Sequence, residues 1–95
     1  LLKALPETWV CKIAQTSKRG TPDILMCMSG VFVAIELKTD TGKTSKLQEH
    51  NLSRIAASRG ISIVMTPSNL HEMLERLKSI SQIFSNHQKK DQIWR

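Results

Sequence analysis

The chain is predicted to fold as an α/β domain, a mixed β-sheet of about four strands flanked by helices, and three observations carry that prediction. Two apolar runs rich in Val, Ile, Leu and Met meet at Ser29-Gly30, a pair suited to a two-residue hairpin turn between strands over 24–28 and 31–38. A helical pattern over 45–58 then leads into a β-branched run, 61–66. Strand, helix and strand make a crossover that sets the last strand parallel to 31–38 through a right-handed connection. A second helical pattern follows Pro67.

Taken in order, residues 1–5 read as the last turn of a helix that Pro6 stops, with neither a cap nor an initiator Met, as in a truncated or processed start. Residues 8–15 alternate as a strand does, with Trp9, Cys11 and Ile13 on one side and Val10, Lys12 and Ala14 on the other. The connection over 16–21 sets Lys18 and Arg19 just ahead of Gly20, where they can meet backbone phosphates or simply stay solvated. After the hairpin comes a polar turn, 39–44. Its Gly42-Lys43-Thr44 is not a phosphate-binding P-loop, because that motif needs a glycine where Leu37 stands. Lys43 and Lys46 are candidates for phosphate contact or for plain solvation.

The first helix carries Leu47, Leu52, Ile55 and Ala56 at helical spacing and is expected to stop at Gly60. Ser45-Lys46-Leu47-Gln48 has the form of a capping box, in which Gln48 reaches back to the cap residue. Ser68 is the expected cap of the second helix, which turns Leu70, Met73, Leu74, Leu77 and Ile80 inward and Glu72, Glu75, Arg76 and Lys78 outward. Residues 1–81 make one domain; residues 82–95 extend that helix, dock through Ile83, Phe84 and Trp94, or stay loose.

Composition bounds the function. Fourteen Lys and Arg against eight Asp and Glu give a net charge of +6 and a pI near 9.8, which favours a polyanionic partner, with nucleic acid first. No apolar run reaches the length of a membrane span and no leader is evident, so a cytoplasmic, intracellular setting of bacterial or phage type is expected, without a membrane partner. Cys11 and Cys27 lack metal-ligand spacing and read as small buried hydrophobes; His50, His71 and His87 form no mutual pattern, and the first two belong on helix surfaces.

The hairpin register singles out the chemistry. With Ser29 and Gly30 as the loop, Ile24 pairs with Ile35 and Asp23 with Glu36, so two carboxylates face each other at about 4.5 to 5.5 Å between Cβ atoms. At roughly 5 Å and an effective dielectric near 20 their bare repulsion is about 3 kcal/mol. Solvent at the strand end, a raised pKa on one acid, or a divalent cation between them would relieve it. Residues two apart share a strand face, so Lys38 joins Glu36. Two carboxylates and an ammonium suit metal-dependent hydrolysis of a phosphodiester.

Pro22-Asp23 followed by Glu36-Leu37-Lys38 resembles the PD-(D/E)XK nuclease signature. Gly20-Thr21-Pro22-Asp23 and Gly42-Lys43-Thr44-Ser45 with Gln48 resemble, more narrowly, the VRR-NUC family within it, over roughly residues 9 to 80. The resemblance implies a restriction-endonuclease-like sheet and an Mg²⁺- or Mn²⁺-dependent endodeoxyribonuclease. In it Asp23, Glu36 and the Leu37 carbonyl ligate the ion, Lys38 orients or activates the water and offsets charge, and Gln48 assists beside Lys38. It further implies branched or four-way junction DNA as substrate, a homodimer, and a first helix bearing a metal-binding acid; residues 1–5 hold no acid, and Glu7 lies beyond the stopping proline. Two rivals stand against it: a non-catalytic nucleic-acid-binding module on the same scaffold, and a basic interaction domain whose hairpin acids are merely exposed.

Overall fold

A computed structural model of the chain describes residues 2, 5, 7–13 and 19–88. Its elements are β1 (Thr8–Lys12), β2 (Ile24–Met28), β3 (Val31–Leu37), α1 (Lys46–Ala57), β4 (Ile61–Met65) and α2 (Leu70–Gln88). They form one mixed sheet in the order β1-β2-β3-β4, antiparallel for the first two pairs and parallel between β3 and β4. This is the expected α/β architecture. Among the described residues no helix is long and apolar enough to cross a membrane.

The hairpin has the expected register, with Ile24 opposite Ile35 and Met28 opposite Val31. Ser29 and Gly30 both have positive φ, 51° and 85°, the requirement of a type I′ turn whose twist matches the strands. Ser29 tolerates that backbone because its surroundings hold it. Its N–H donates to the Glu7 carbonyl at 2.9 Å, and its hydroxyl shares a buried hydrogen bond of 3.2 Å with Ser81 of α2.

Strand alternation divides the sheet into two faces. Met26, Met28, Val33, Ile35 and Met65 point to one and build the core with Leu5 and with Leu77 of α2; Val10, Met73 and Ile80 close around them. The opposite face bears Phe32, Ala34 and Glu36 of β3, and α1 lies against its β3–β4 half, with Leu52 as the one buried α1 residue.

Several local expectations need correcting. β1 ends at Lys12, although the Ile13 N–H still donates to the Asp23 carbonyl at 2.7 Å; residues 14 and 15 lie outside the described residues, as does most of the supposed helix remnant 1–5. In α1, Leu47 and Ala56 are exposed and the inward positions are 48, 51, 52 and 55, because two polar side chains share the packed face with Leu52 and Ile55.

Arg59, not Gly60, takes the left-handed position after α1, with φ 74°. Its N–H donates to the Ala56 carbonyl and that of Gly60 to Ile55, which is a Schellman closure. Gly60 is needed for space instead: a Cβ there would lie 2.9 Å from Ile55 and 3.3 Å from Phe32. Asn69, not Ser68, opens α2, its carbonyl accepting from the Met73 N–H, while the Ser68 N–H donates to Asp40. Hydrogen bonds from Ser68 hold the Asp40 carboxyl below its ordinary range. Cys27 is exposed and Cys11 half-buried, so neither is a core residue. Past residue 81 the helix runs on to Gln88, with Ile83 and Phe84 exposed rather than docked; Trp94 lies outside the described residues.

Candidate active site

β3 delivers the central carboxylate. Glu36 sits one residue before the strand ends, on the α1 face, and only 3% of its surface is exposed. Lys38, two residues on, returns to the same face and sets its Nζ 3.4 Å from Glu36 Oε2. Gln48, in the first turn of α1, donates from Nε2 to that same oxygen at 2.7 Å. The amide does two jobs at once, because its Oε1 also accepts from the Ser45 N–H at 2.8 Å while the Ser45 hydroxyl accepts from the Gln48 N–H. The capping box and the approach to the acid are thus one arrangement, since capping aims the Gln48 side chain at the end of β3.

Asp23 enters from the other side. The β2–β3 ladder ends at Ile24 and Ile35, so Asp23 stands at a bend just before β2 and not in a ladder pair. Its Oδ2 accepts from the Leu37 N–H at 2.9 Å. Continuing the register brings Pro22 opposite Leu37, and proline has no N–H. The N–H and C=O of one residue in extended backbone point to the same strand edge, so the Leu37 carbonyl faces the side of Asp23 with no ladder donor opposite it.

The two acids sense each other. Burial, first, and the neighbouring Asp23 charge, second, push the Glu36 carboxyl above its ordinary value; Lys38 and the Asp23 backbone pull the other way. Of the three expected means of relief, a raised pKa is therefore in place, together with a lysine and an amide on the buried acid.

α1 also anchors the approach to Asp23, through a residue that the sequence reading missed. Asn51 donates from Nδ2 to the carbonyl of Gly20 at 2.9 Å and reaches that of Arg19 at 3.4 Å. Gly20 has φ +79°, and a Cβ there would stand 2.6 Å from Leu47 and 2.8 Å from the Asn51 amide, so only glycine lets this turn lie on the helix. The available signal was spacing: Asn51 follows Gln48 by three residues, on the same helix face.

Asp23, Glu36, Leu37, Lys38 and Gln48 are thus brought together. The phosphate-contact candidates are more scattered. Arg19 is exposed beside the Asn51 clamp, Lys43 and Lys46 are exposed on the approach to α1 and in its first turn, and Lys18 lies outside the described residues. Among the described residues no group of three or more His, Cys, Asp and Glu side chains is placed to hold a metal ion. The oxygen donors here are two carboxylates and one main-chain carbonyl, a hard set that fits Mg²⁺ or Mn²⁺, which keep several waters and need few protein ligands. Comparison of this chain with protein-family models, with curated proteins and with solved structures returns no match.

Proposed function

We propose that this chain is a metal-dependent nuclease of VRR-NUC type that hydrolyses DNA phosphodiester bonds, with selectivity for branched or four-way junction structures, and that it acts as an intracellular homodimer. The observation that carries the reading is the buried Glu36 carboxylate, met by Lys38 and Gln48 on one oxygen and flanked by Asp23. Burying an acid beside a second carboxylate is costly in a small domain even with such partners, and groups perturbed in this way cluster at functional sites.

Asp23, Glu36 and the Leu37 carbonyl would hold the Mg²⁺ or Mn²⁺ ion, which when bound neutralises phosphate charge and makes its water a stronger acid. Lys38 sets a positive charge at the same place, where it offsets the negative charge that grows on the scissile phosphate and orients the attacking water. Gln48 keeps the Glu36 carboxylate in one orientation. Asp23 is oriented by the Leu37 N–H, so its position follows the end of β3. The net charge of +6 supplies the attraction for a polyanion, and no base-reading pattern stands out, so selectivity falls on DNA shape.

Glu36→Gln and Lys38→Ala test the reading, with cleavage of labelled linear, flapped and four-way DNA followed with and without Mg²⁺ or Mn²⁺. Both variants are expected to fall to background, Lys38→Ala by about 10² to 10³. Undiminished cutting by either would refute the role given to that residue, and metal-independent binding by the parent chain without cleavage of any DNA would favour the non-catalytic module. Light scattering on the purified chain tests the dimer.

A further inference from the structure

Among the described residues, the sheet face that carries Glu36 is only partly covered. α1 lies over its β3–β4 half, and across the remainder the registers align Trp9 of β1, Cys27 of β2 and Phe32 of β3 in one row. Trp9 is 65% exposed and Phe32 44%, with Cys27 exposed between them. At about 4.8 Å between strands the backbones that carry the two rings stand roughly 10 Å apart. Beside the row a cleft of about 500 Å³ runs between the sheet and α1, lined among others by Pro22, Leu25, Phe32, His50, Asn51 and Arg54. A neighbouring hollow is formed by Phe32, Arg54, Ser58 and Gly60. Among the described residues no acidic side chain lines either.

The cleft and the candidate site lie on the same face of the sheet. Phe32, Ala34 and Glu36 share one face of β3, and at about 3.4 Å per residue Phe32 lies roughly 14 Å from Glu36. That is about four stacked nucleotides at 3.4 Å each. At its other side the cleft is lined by Pro22, next to Asp23.

We propose that the Trp9–Cys27–Phe32 row and the cleft beside it form a stacking platform for unpaired nucleobases, so that a single-stranded DNA segment lies along α1 with its phosphates toward Arg54 and His50. Exposed aromatic rings on a sheet face accept the flat face of any base, and a cation beside them meets the backbone. Bases held in a duplex present only their edges in the grooves and cannot lie on these rings. A second copy of the chain would also cover the row, but the cation that lines both hollows, Arg54, is complementary to a polyanion and has no such complement in another copy's Arg54. The proposal deepens the nuclease reading by naming the substrate segment, yet it rests on a binding surface that stands apart from cleavage.

The test is titration of a short oligothymidylate, in EDTA, into the full chain bearing Trp94→Phe, so that Trp9 is the only tryptophan read. Single-strand binding should quench the Trp9 emission. Phe32→Ala, read by the same quenching, and Trp9→Ala, read by anisotropy of a labelled oligonucleotide, should each weaken binding about tenfold, with binding of a blunt duplex unchanged. Trp9→Phe and Phe32→Trp should retain affinity, which separates stacking from loss of fold. Unchanged single-strand affinity in the alanine variants would overturn the proposal, as would equal weakening for single strand and duplex. So would a drop in mass by light scattering on Trp9→Ala, which would make the row an interface between copies. Binding is read in EDTA and without turnover, so failure of cleavage and failure of the platform appear in different measurements.

Discussion

The two faces of the sheet are built on opposite rules. Toward α2, the inward positions of β2, β3 and β4 are all apolar, only β1 sets Thr8 and Lys12 at the margin of that face, and the cluster of Met26, Met28, Val33, Ile35, Met65 and Leu77 contains no ionisable group. Toward α1, the packed face of the helix is half polar: Gln48 and Asn51 alternate with Leu52 and Ile55, and what they meet is a buried glutamate and a glycine turn. The α2 face supplies stability and the α1 face positions side chains. Polar contacts that settle where a helix lies contribute only about 1 kcal/mol each, so the α1 face trades binding strength for placement.

The largest expected effects sharpen that contrast directly. Leu77, with none of its surface exposed, sits at the centre of the α2 face, and Leu77→Ala should cost about 2 to 5 kcal/mol through lost transfer energy and the cavity left behind. Leu52→Ala on the α1 face, beside polar neighbours and solvent, should cost less than half as much. Urea denaturation of both variants measures the ratio; equal losses would break the division into a stabilising face and a positioning face.

Glu36→Gln probes the positioning face by pH. The Glu36 carboxyl is raised, by burial before the Asp23 charge, so its protonated form suits the fold better. That contribution is present below the ordinary glutamate value of about 4.3 and is lost as pH rises through the higher folded-state value. Metal-free Tm values of the parent and of Glu36→Gln should therefore coincide in acid and diverge toward neutral pH, with the variant more stable. Adding Mg²⁺ should raise the Tm of the parent and leave that of the variant in place. A variant less stable than the parent at neutral pH would mean that the Lys38 contact outweighs burial.

The part of this molecule that obeys periodicity was legible, and the part that obeys specific contacts was not. Alternation and the Ser29-Gly30 pair located the hairpin register from Ile24–Ile35 to Met28–Val31 and set Lys38 beside Glu36, but not the bend that takes Asp23 out of the ladder and onto the Leu37 N–H. The capping motif located Gln48, although as a choice between capping and reaching the site, whereas its two amide atoms serve both. Apolar spacing misjudged α1, since it counted Leu47 and Ala56 and passed over Asn51: a hydrophobic stripe cannot report a helix face selected by hydrogen bonds. Residue type also misplaced the end of α1, where the strained position fell to Arg59 and the glycine beside it serves close packing. Cys27 looked like core because it lies in an apolar strand, yet its side of that strand is the one α1 leaves open.

Smaller effects separate placement from strength within α1 itself. Asn51→Ala removes the clamp on the Arg19–Gly20 turn and should lower stability by about 1 kcal/mol. On the nuclease reading it should also lower kcat about tenfold with KM unchanged, because Asp23 follows that turn. Arg59→Gly should act the other way and leave the site alone. The residue stands at φ 74°, where a side chain costs roughly 1 to 2 kcal/mol, and glycine relieves that strain while adding some freedom to the unfolded chain. The net gain should be about 0.5 to 1 kcal/mol, read as a shift of the urea midpoint at constant slope, with cleavage unchanged. A loss of stability would show that the Arg59 side chain makes contacts worth more than the strain, and that the end of α1, like its start, is held by side chains rather than by backbone preference.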